Sequence, residues 1–412
     1  MAFVMQRLSR IFKPFLRHPL PARNFPLGPL LDPNYKVDEE KLEWYSREAF
    51  LPIKIGDVFQ SKYQVVGKLG YGGYSTVWLC RDLQEHAYVT LKLYEHDSPH
   101  AEGEIRVYEH LQGLQSSHTG SILVRTMLDK FYLSSSDGSK SYQCLIHPPL
   151  GMSLFELRNR TRGKVFPENL LKPTVIHILL ALDFLHTGGG VIHSDIQEKN
   201  IMLNVEDESI LVDFEQAELS GPSPRKTIDD VTIYPSRKLG IPKKHGRPVL
   251  ADFGEARFGS ETGAYSGEVQ PFMYRAPEVL LRMPWNEKID IWNLGVLTWD
   301  LFERGHLFYA QDANERPSDI HHLAEMIAYL GLPPQEMLVD SEYASEFFDS
   351  NGQWKGLAKI PSTTLESIEG NLQGDQQEGF LRFVRKMLQW RPGDRATAKE
   401  FGPDLDGRAP IT

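Results

Sequence analysis

The segment VIHSDIQEKN, residues 191–200, holds an Asp two residues after a His and an Asn five residues after that Asp. Asp195 can accept a hydrogen bond, and then a proton, from a hydroxyl nucleophile. Asn200 offers a neutral amide oxygen to a hard divalent cation. His193 is expected to be structural, holding the loop through its ring nitrogens. Downstream, PVLADFGEAR ends a short apolar run in Asp252-Phe253-Gly254. Asp252 would bind a metal that bridges phosphates, and Gly254 would let the backbone reorient. Asp213, in ILVDFE, is the rival carboxylate. It lacks the following Gly, and no peptide-binding motif follows it at a suitable distance, whereas YRAPEVLL, with Glu278, follows Asp252.

Upstream, KLGYGGYSTVW places Gly70, Gly72 and Gly73 between two strand-like runs. Such glycines let backbone N–H groups approach phosphate oxygens. A strand rather than a helix follows, which excludes a dinucleotide-binding fingerprint. YVTLKLYE sets Lys92 in an apolar strand, where an ammonium needs a partner. Glu104, on the helical stretch 100–114 and on the side of Ile105 and Tyr108, is one candidate. Glu102 is the other, and a lysine on an edge strand reaching to water is the plain alternative.

These residues must be positioned by a chain of 412 residues, enough for one large or two ordinary domains. Two cysteines, Cys80 and Cys144, exclude a disulfide framework and point to a reducing compartment. A net charge of −10 argues against a general polyanion binder, so no direct nucleic-acid partner is expected. Residues 1–31 form a basic Pro-rich tail with Arg7, Arg10, Lys13, Arg17 and Arg23 and no acid. Its apolar residues share one helical face as far as Pro14. It reads as a targeting or membrane-surface segment or as a basic tail, with a cytoplasmic, nuclear or mitochondrial address. A linker, 32–56, follows. Residues 57–147 read as short strands around one helix, and 148–405 as mostly helices. No apolar run is expected to span a membrane: VIHILLALDFL is interrupted by His177 and Asp183 and reads as a buried helix. Residues 206–247 are too long for an idle loop. They read as a surface insertion or a docking element and contain Ser-Pro and Pro-Ser-Arg-Lys.

Taken in order, the Gly-rich turn, strand Lys, helix Glu, Asp/Asn loop, Asp-Phe-Gly and Ala-Pro-Glu resemble the eukaryotic protein kinase family over residues 57–400. PIKIGDVFQSKYQVVGKLGYGGYSTVWL, IHSDIQEKN and SEYASEFFDSNGQWKGLAKI resemble the SR-protein kinases more closely, in the shortened form of filamentous fungi. The resemblance implies an α+β bilobal kinase fold, with a small β-rich N-lobe carrying one main helix and a larger helical C-lobe. It implies ATP and Mg2+, the latter on Asn200 and Asp252, and phosphoryl transfer to Ser or Thr of protein substrates that are basic or Ser/Arg-containing. Asp195 would orient the nucleophile, and Lys92, held by Glu104, would orient the α- and β-phosphates. The turn of Leu69, Gly70, Tyr71, Gly72, Gly73, Tyr74, Ser75, Thr76 and Val77 would cover the phosphates. After His147 at the gatekeeper position, the Pro148 carbonyl and the Leu150 N–H would read adenine, with Thr90 packed close. Asp290, in DIWNLGV, would brace the catalytic loop, and Arg395 would pair with Glu278.

Several departures bear on activity. Ser194 replaces an Arg that in many kinases grips an activation-loop phosphate, so phosphorylation of Ser260, Thr262 or Ser266 should matter less. Gln197 replaces a Lys that acts on the transferring phosphate, a loss of ~2–4 kcal/mol by analogy with one preorganised donor, or about 10²–10³ in rate. Lys199 could compensate in part. The basic residues usual before YRAPE give way to Phe272 and Met273, leaving Arg275. The docking stretch DIHHLAEMIAYLG keeps only Asp319 and Glu325 as acids. The expected function is a serine/threonine kinase; the alternative is a weak or inactive pseudokinase scaffold.

Overall fold

The computed structural model describes residues 18–401 apart from 136, 230 and 261. The amphipathic stretch before residue 18 lies outside them. The chain forms two compact units. One comprises the chain through Ser98 with Met127–Pro149 and Asp207–Lys244; the other comprises Pro99–Thr126, Leu150–Glu206 and the chain from His245. This division departs from the boundaries 57–147 and 148–405. The 99–126 stretch goes with the helical unit, and most of the insertion goes with the β-rich one.

The β-rich unit is built on six antiparallel strands: β1 (Val58–Phe59), β2 (Tyr63–Tyr71), β3 (Ser75–Asp82), β4 (Ala87–His96), β5 (Asp129–Ser134) and β6 (Ser141–His147), in the order β1-β2-β3-β4-β6-β5. Strand alternation sorts the side chains. Val89, Leu91 and Leu93 enter a core with Val65, Trp78, Cys80, Cys144 and Ile146, while Thr90 and Lys92 take the opposite face and are also buried. Burial drives both thiols far above their usual range, which keeps them inert core fillers.

Two segments expected to be peripheral are packed parts of this unit. The 32–56 stretch contributes Ile53 to the core, and the insertion contributes Tyr234. The insertion is therefore not a surface loop. It forms the helix Ser209–Ser220 and a hairpin of Lys226–Ile228 with Val231–Ile233. Ile210, Leu211 and Phe214 supply the helix's buried face. Gly67 on β2 is what admits it: a Cβ there would lie 2.8 Å from the Phe214 ring. Asp213 sits on the exposed side of this helix, in the β-rich unit, whereas Asn200 belongs to the helical one.

In the helical unit, Pro99–Gly113, Glu168–Asp183, Lys288–Phe302 and Asp319–Leu330 are the longest helices. Every residue from Ile289 to Phe302 is buried, so this helix is a core rod rather than an amphipathic one. A three-stranded sheet orders His245–Leu250, Ile201–Val205 and Leu150–Ser153, and Arg257–Phe258 pairs with Val191–Ile192. The helix from Glu168 continues as a π-turn to Gly189, which makes one 22-residue helix long and apolar enough to cross a membrane. That property is one of length and composition alone. Its apolar side, with Leu171, Val175, Ile178, Leu179 and Leu182, is nevertheless buried inside the unit.

His322 is a destabilising feature of this core. It is fully buried against Phe308 and Phe272, and neither ring nitrogen has a hydrogen-bond partner among the described residues. Burial holds its pKa down at about 3. The folded state thus carries a neutral imidazole, while the unfolded chain takes up a proton below about pH 6.5. Stability from this site is complete above that pH and falls as pH drops toward 3. His322→Leu is expected to raise unfolding stability by about 1–3 kcal/mol and to flatten the fall of Tm between pH 6.5 and 4, as read by thermal melts of both proteins.

Candidate active site

The loop at 193–200 is fixed by one buried carboxylate. Asp290, fully buried on the Lys288–Phe302 helix, accepts the backbone N–H of His193 at 2.8 Å and of Ser194 at 2.7 Å. It also takes His186 Nε2 at 2.9 Å. His193 is buried, and its Nδ1 accepts the Asp195 N–H at 3.3 Å. Nε2 therefore carries the ring proton and donates to the Ala251 carbonyl at 3.1 Å. The imidazole thus ties the loop to Ala251, between the strand His245–Leu250 and Asp252. Ser194 takes a left-handed φ of 61° and donates its Oγ to the Glu255 carbonyl at 2.5 Å.

That scaffold presents Asp195 with both carboxylate oxygens engaged. Gln197 Nε2 donates to Oδ1 at 2.7 Å, and Asn200 Nδ2 donates to Oδ2 at 2.6 Å and to the Asp195 carbonyl at 3.0 Å. Burial raises the Asp195 pKa first, the charge of Asp252 raises it further, and His193 and the two amides pull it back. A carboxylate so placed is a stronger base than an exposed one and keeps its orientation. Asn200 commits its NH2 to Asp195, which leaves its amide oxygen as an acceptor. With the Asp252 carboxylate this makes two hard oxygen donors beside a like-charge repulsion, a donor set that suits Mg2+. Among the described residues there is no cluster of three His, Cys, Asp or Glu able to hold a metal.

Phe253 is fully buried and packs its ring on His193, at 4.9 Å, and on Tyr108, at 5.4 Å. Tyr108 donates to Glu104 Oε1 at 3.0 Å, and Glu104 is itself fully buried on the Pro99–Gly113 helix. The rival Glu102 is exposed in the first turn. Glu278 and Arg395 form a fully buried two-pronged pair, 2.6 Å at each prong.

In the β-rich unit, β2 and β3 pair as far as Tyr71 with Thr76, and Gly72 N–H closes the turn on the Ser75 carbonyl at 2.8 Å. Leu69 through Val77 thus form the tip of one hairpin. Lys92 lies on β4, 5% exposed, with Nζ 4.9 Å from the Tyr94 ring centre. His147 ends β6 opposite Thr90 of β4, and both are buried. Pro148 belongs to this unit and Leu150 to the other.

Sequence reasoning missed three things. Gln197 keeps the hydrogen bond to Asp195 without a charge. His186 completes the Asp290 cluster, at the end of an apolar helix where only its polarity could have marked it. Glu325 accepts the N–H groups of Tyr309 and Ala310, each at 3.0 Å, so it serves the fold. Since Gln197 offers orientation but no charge, Gln197→Lys is expected to raise kcat by about 10-fold or more, in a steady-state assay of both proteins.

A model of the protein kinase domain matches residues 63–234 and 241–402. A serine/threonine protein kinase of Aspergillus fumigatus is 43% identical over 406 residues, 97% of each chain. A serine/threonine-protein kinase named SRPK from Physarum polycephalum is 27% identical over 89% of this chain and 90% of its own. Human SRSF protein kinase 3 is 22% identical over 88% and 89%. The crystal structure of a kinase domain at 22% identity superposes with a TM-score of 0.66, covering 87% of this chain and 99% of that one.

Proposed function

We propose, given that this chain belongs to the protein kinase family, that Asp195, Asn200, Asp252 and Lys92 carry out transfer of the ATP γ-phosphoryl group to a protein Ser or Thr hydroxyl. The chain is a serine/threonine protein kinase, with SR-protein kinases among its more distant relatives. The observation that carries the residue assignment is the Asp195 carboxylate, half-buried and held at both oxygens by Gln197 and Asn200.

In this reading Asp195 aligns the acceptor hydroxyl and takes its proton as the new O–P bond forms and ADP leaves. Lys92, with Glu104 as partner, orients the α- and β-phosphates. The burial of Lys92 on the face of β4 away from the core supports this, since a buried ammonium requires anionic company. The Leu69–Val77 hairpin tip covers the phosphates, and Pro148 C=O and Leu150 N–H read adenine. Asn200 and Asp252 would hold Mg2+, which neutralises phosphate charge when bound. Catalysis is positioning and charge, with no covalent intermediate.

The finer reading, basic or Ser/Arg-containing substrates, is supported by the distant relatives' names and by the net charge of −10. The acids once expected to dock such segments reduce to Asp319, because Glu325 is engaged by backbone. A degenerate-peptide phosphorylation screen with purified protein tests both layers. Incorporation confined to Ser and Thr peptides supports the residue assignment, and enrichment of Arg beside the acceptor supports the finer one. Incorporation on Tyr peptides alone overturns the reading.

A further inference from the structure

The insertion contains Ser223-Pro224-Arg225-Lys226, which the transfer site does not use. Ser223 is only 4% exposed. Its N–H and its Oγ both donate to Glu218, at 2.9 and 2.5 Å. Glu218 is fully buried, and Arg237 supplies its counter-charge at 2.7 Å while also donating to Ser223 Oγ at 3.2 Å. One serine therefore closes a pair between a buried carboxylate and a half-buried guanidinium.

The N-terminal segment lies over this serine. A Cβ at Gly28 would fall 1.8 Å from the Ser223 carbonyl oxygen, so only glycine permits the approach. Next to it, Leu31 N–H donates to Arg225 O at 2.8 Å and Arg225 N–H to Pro29 O at 2.9 Å. Lys226, 2% exposed, pairs with Glu40 and donates to the Tyr35 carbonyl at 2.9 Å. Further along, Ser236 N–H donates to Asp38 at 2.6 Å. Lys68 of β2, also 2% exposed, is held between Glu39 and the Tyr234 carbonyl at 3.0 Å. Residues 28–40 and 221–237 thus form one strap laced by charge onto β2.

We infer that Ser223 is a phosphorylation site for a proline-directed serine kinase, and that its phosphate releases this strap. The modifying kinase brings ATP: the Ser223 Oγ–P bond forms, the bond between the γ-phosphorus and its bridging oxygen breaks, ADP leaves, and the hydroxyl proton passes to that kinase's base. The acceptor is followed by a proline and then by two cations, a pattern that suits an enzyme reading Ser-Pro with nearby basic residues. In the closed strap Oγ is covered, so the modification is taken by the opened segment. A phosphoserine carries roughly −1.5 to −2 charge. Placed against the buried Glu218 carboxylate, with Arg237 as the facing cation, it forbids reclosure. The modification therefore traps the open form. Release also takes the carboxylates of Asp38 and Glu39 away from Lys68, two residues before Gly70. A raised KM for ATP follows if the turn covers phosphates as proposed above.

The test uses the full chain carrying Asp195→Ala, to suppress self-labelling, with ATP, in the presence and absence of a purified proline-directed kinase. Peptide mass spectrometry is expected to find phosphate on Ser223. Gly28→Val, which pushes the covering segment away, should take it up about 10-fold faster or more. In limited proteolysis the phosphorylated protein, and Ser223→Glu compared with Ser223→Gln, should be cut between residues 28 and 49 while the unmodified protein resists. No phosphate on Ser223 even with Gly28→Val, or a phosphorylated chain as protected as the unmodified one, overturns the inference. Neither readout depends on this protein's own transfer activity.

Discussion

Asp195→Ala is expected to lower phosphoryl transfer by roughly 10³-fold at saturating ATP, with little change in melting temperature. The size follows from what the side chain does in the proposed mechanism. It both aligns the acceptor and removes its proton, and no second carboxylate can take over. Asp252 is the proposed cation ligand, and its repulsion of Asp195 is one reason the Asp195 pKa is raised. The fold should survive because the loop is anchored elsewhere: Asp290 holds the backbone of His193 and Ser194, and His193 holds Ala251. Removing Asp195 frees the amides of Gln197 and Asn200, both half-buried and able to reach water. A drop in kcat with KM for ATP unchanged is the expected kinetic pattern, checked by initial rates over an ATP series alongside circular dichroism melts.

Arg395→Ala is expected to cost about 3–5 kcal/mol of unfolding stability. Arg395 and Glu278 are each at most 1% exposed, and the guanidinium makes two prongs to the carboxylate. It also donates to the carbonyls of Gln389, at 2.9 Å, Lys288, at 3.1 Å, and Trp390, at 3.3 Å, and lies 5.1 Å from the Trp292 ring centre. Its loss strands a carboxylate in the core of the helical unit and takes a donor from three carbonyls, and stranded charge costs more than the pair's own attraction is worth. The double variant Arg395→Met/Glu278→Gln should therefore lose less than Arg395→Ala alone. Urea titrations of the three proteins measure both effects.

What could be read from sequence was what is local. The loop at 193–200, Asp252-Phe253-Gly254 and the glycine turn are short windows in which spacing alone fixes geometry. The Glu278–Arg395 and Asp290 assignments came by resemblance, and both pairings stand in the structure. The strap was not legible. Its bonds join Lys68 to Glu39, and Lys226 to Glu40 nearly two hundred residues earlier in the chain, and no periodicity links such partners. The insertion's helix was hidden for another reason. ILVDFE has the composition of a strand, yet Phe214 finds a glycine on β2 to pack against, and that tertiary contact decides the outcome. Glu325 was misjudged because an acid on a helix looks available until the backbone N–H groups that occupy it are known.

The most direct test of the account is transfer from ATP labelled at the γ-phosphate to a mixed protein substrate, with and without Mg2+, for the wild type beside Asp252→Asn, followed by phosphoamino-acid analysis. The account predicts Mg2+-dependent label on serine and threonine that Asp252→Asn nearly abolishes. Equal label with both proteins, or label that ignores Mg2+, would contradict it.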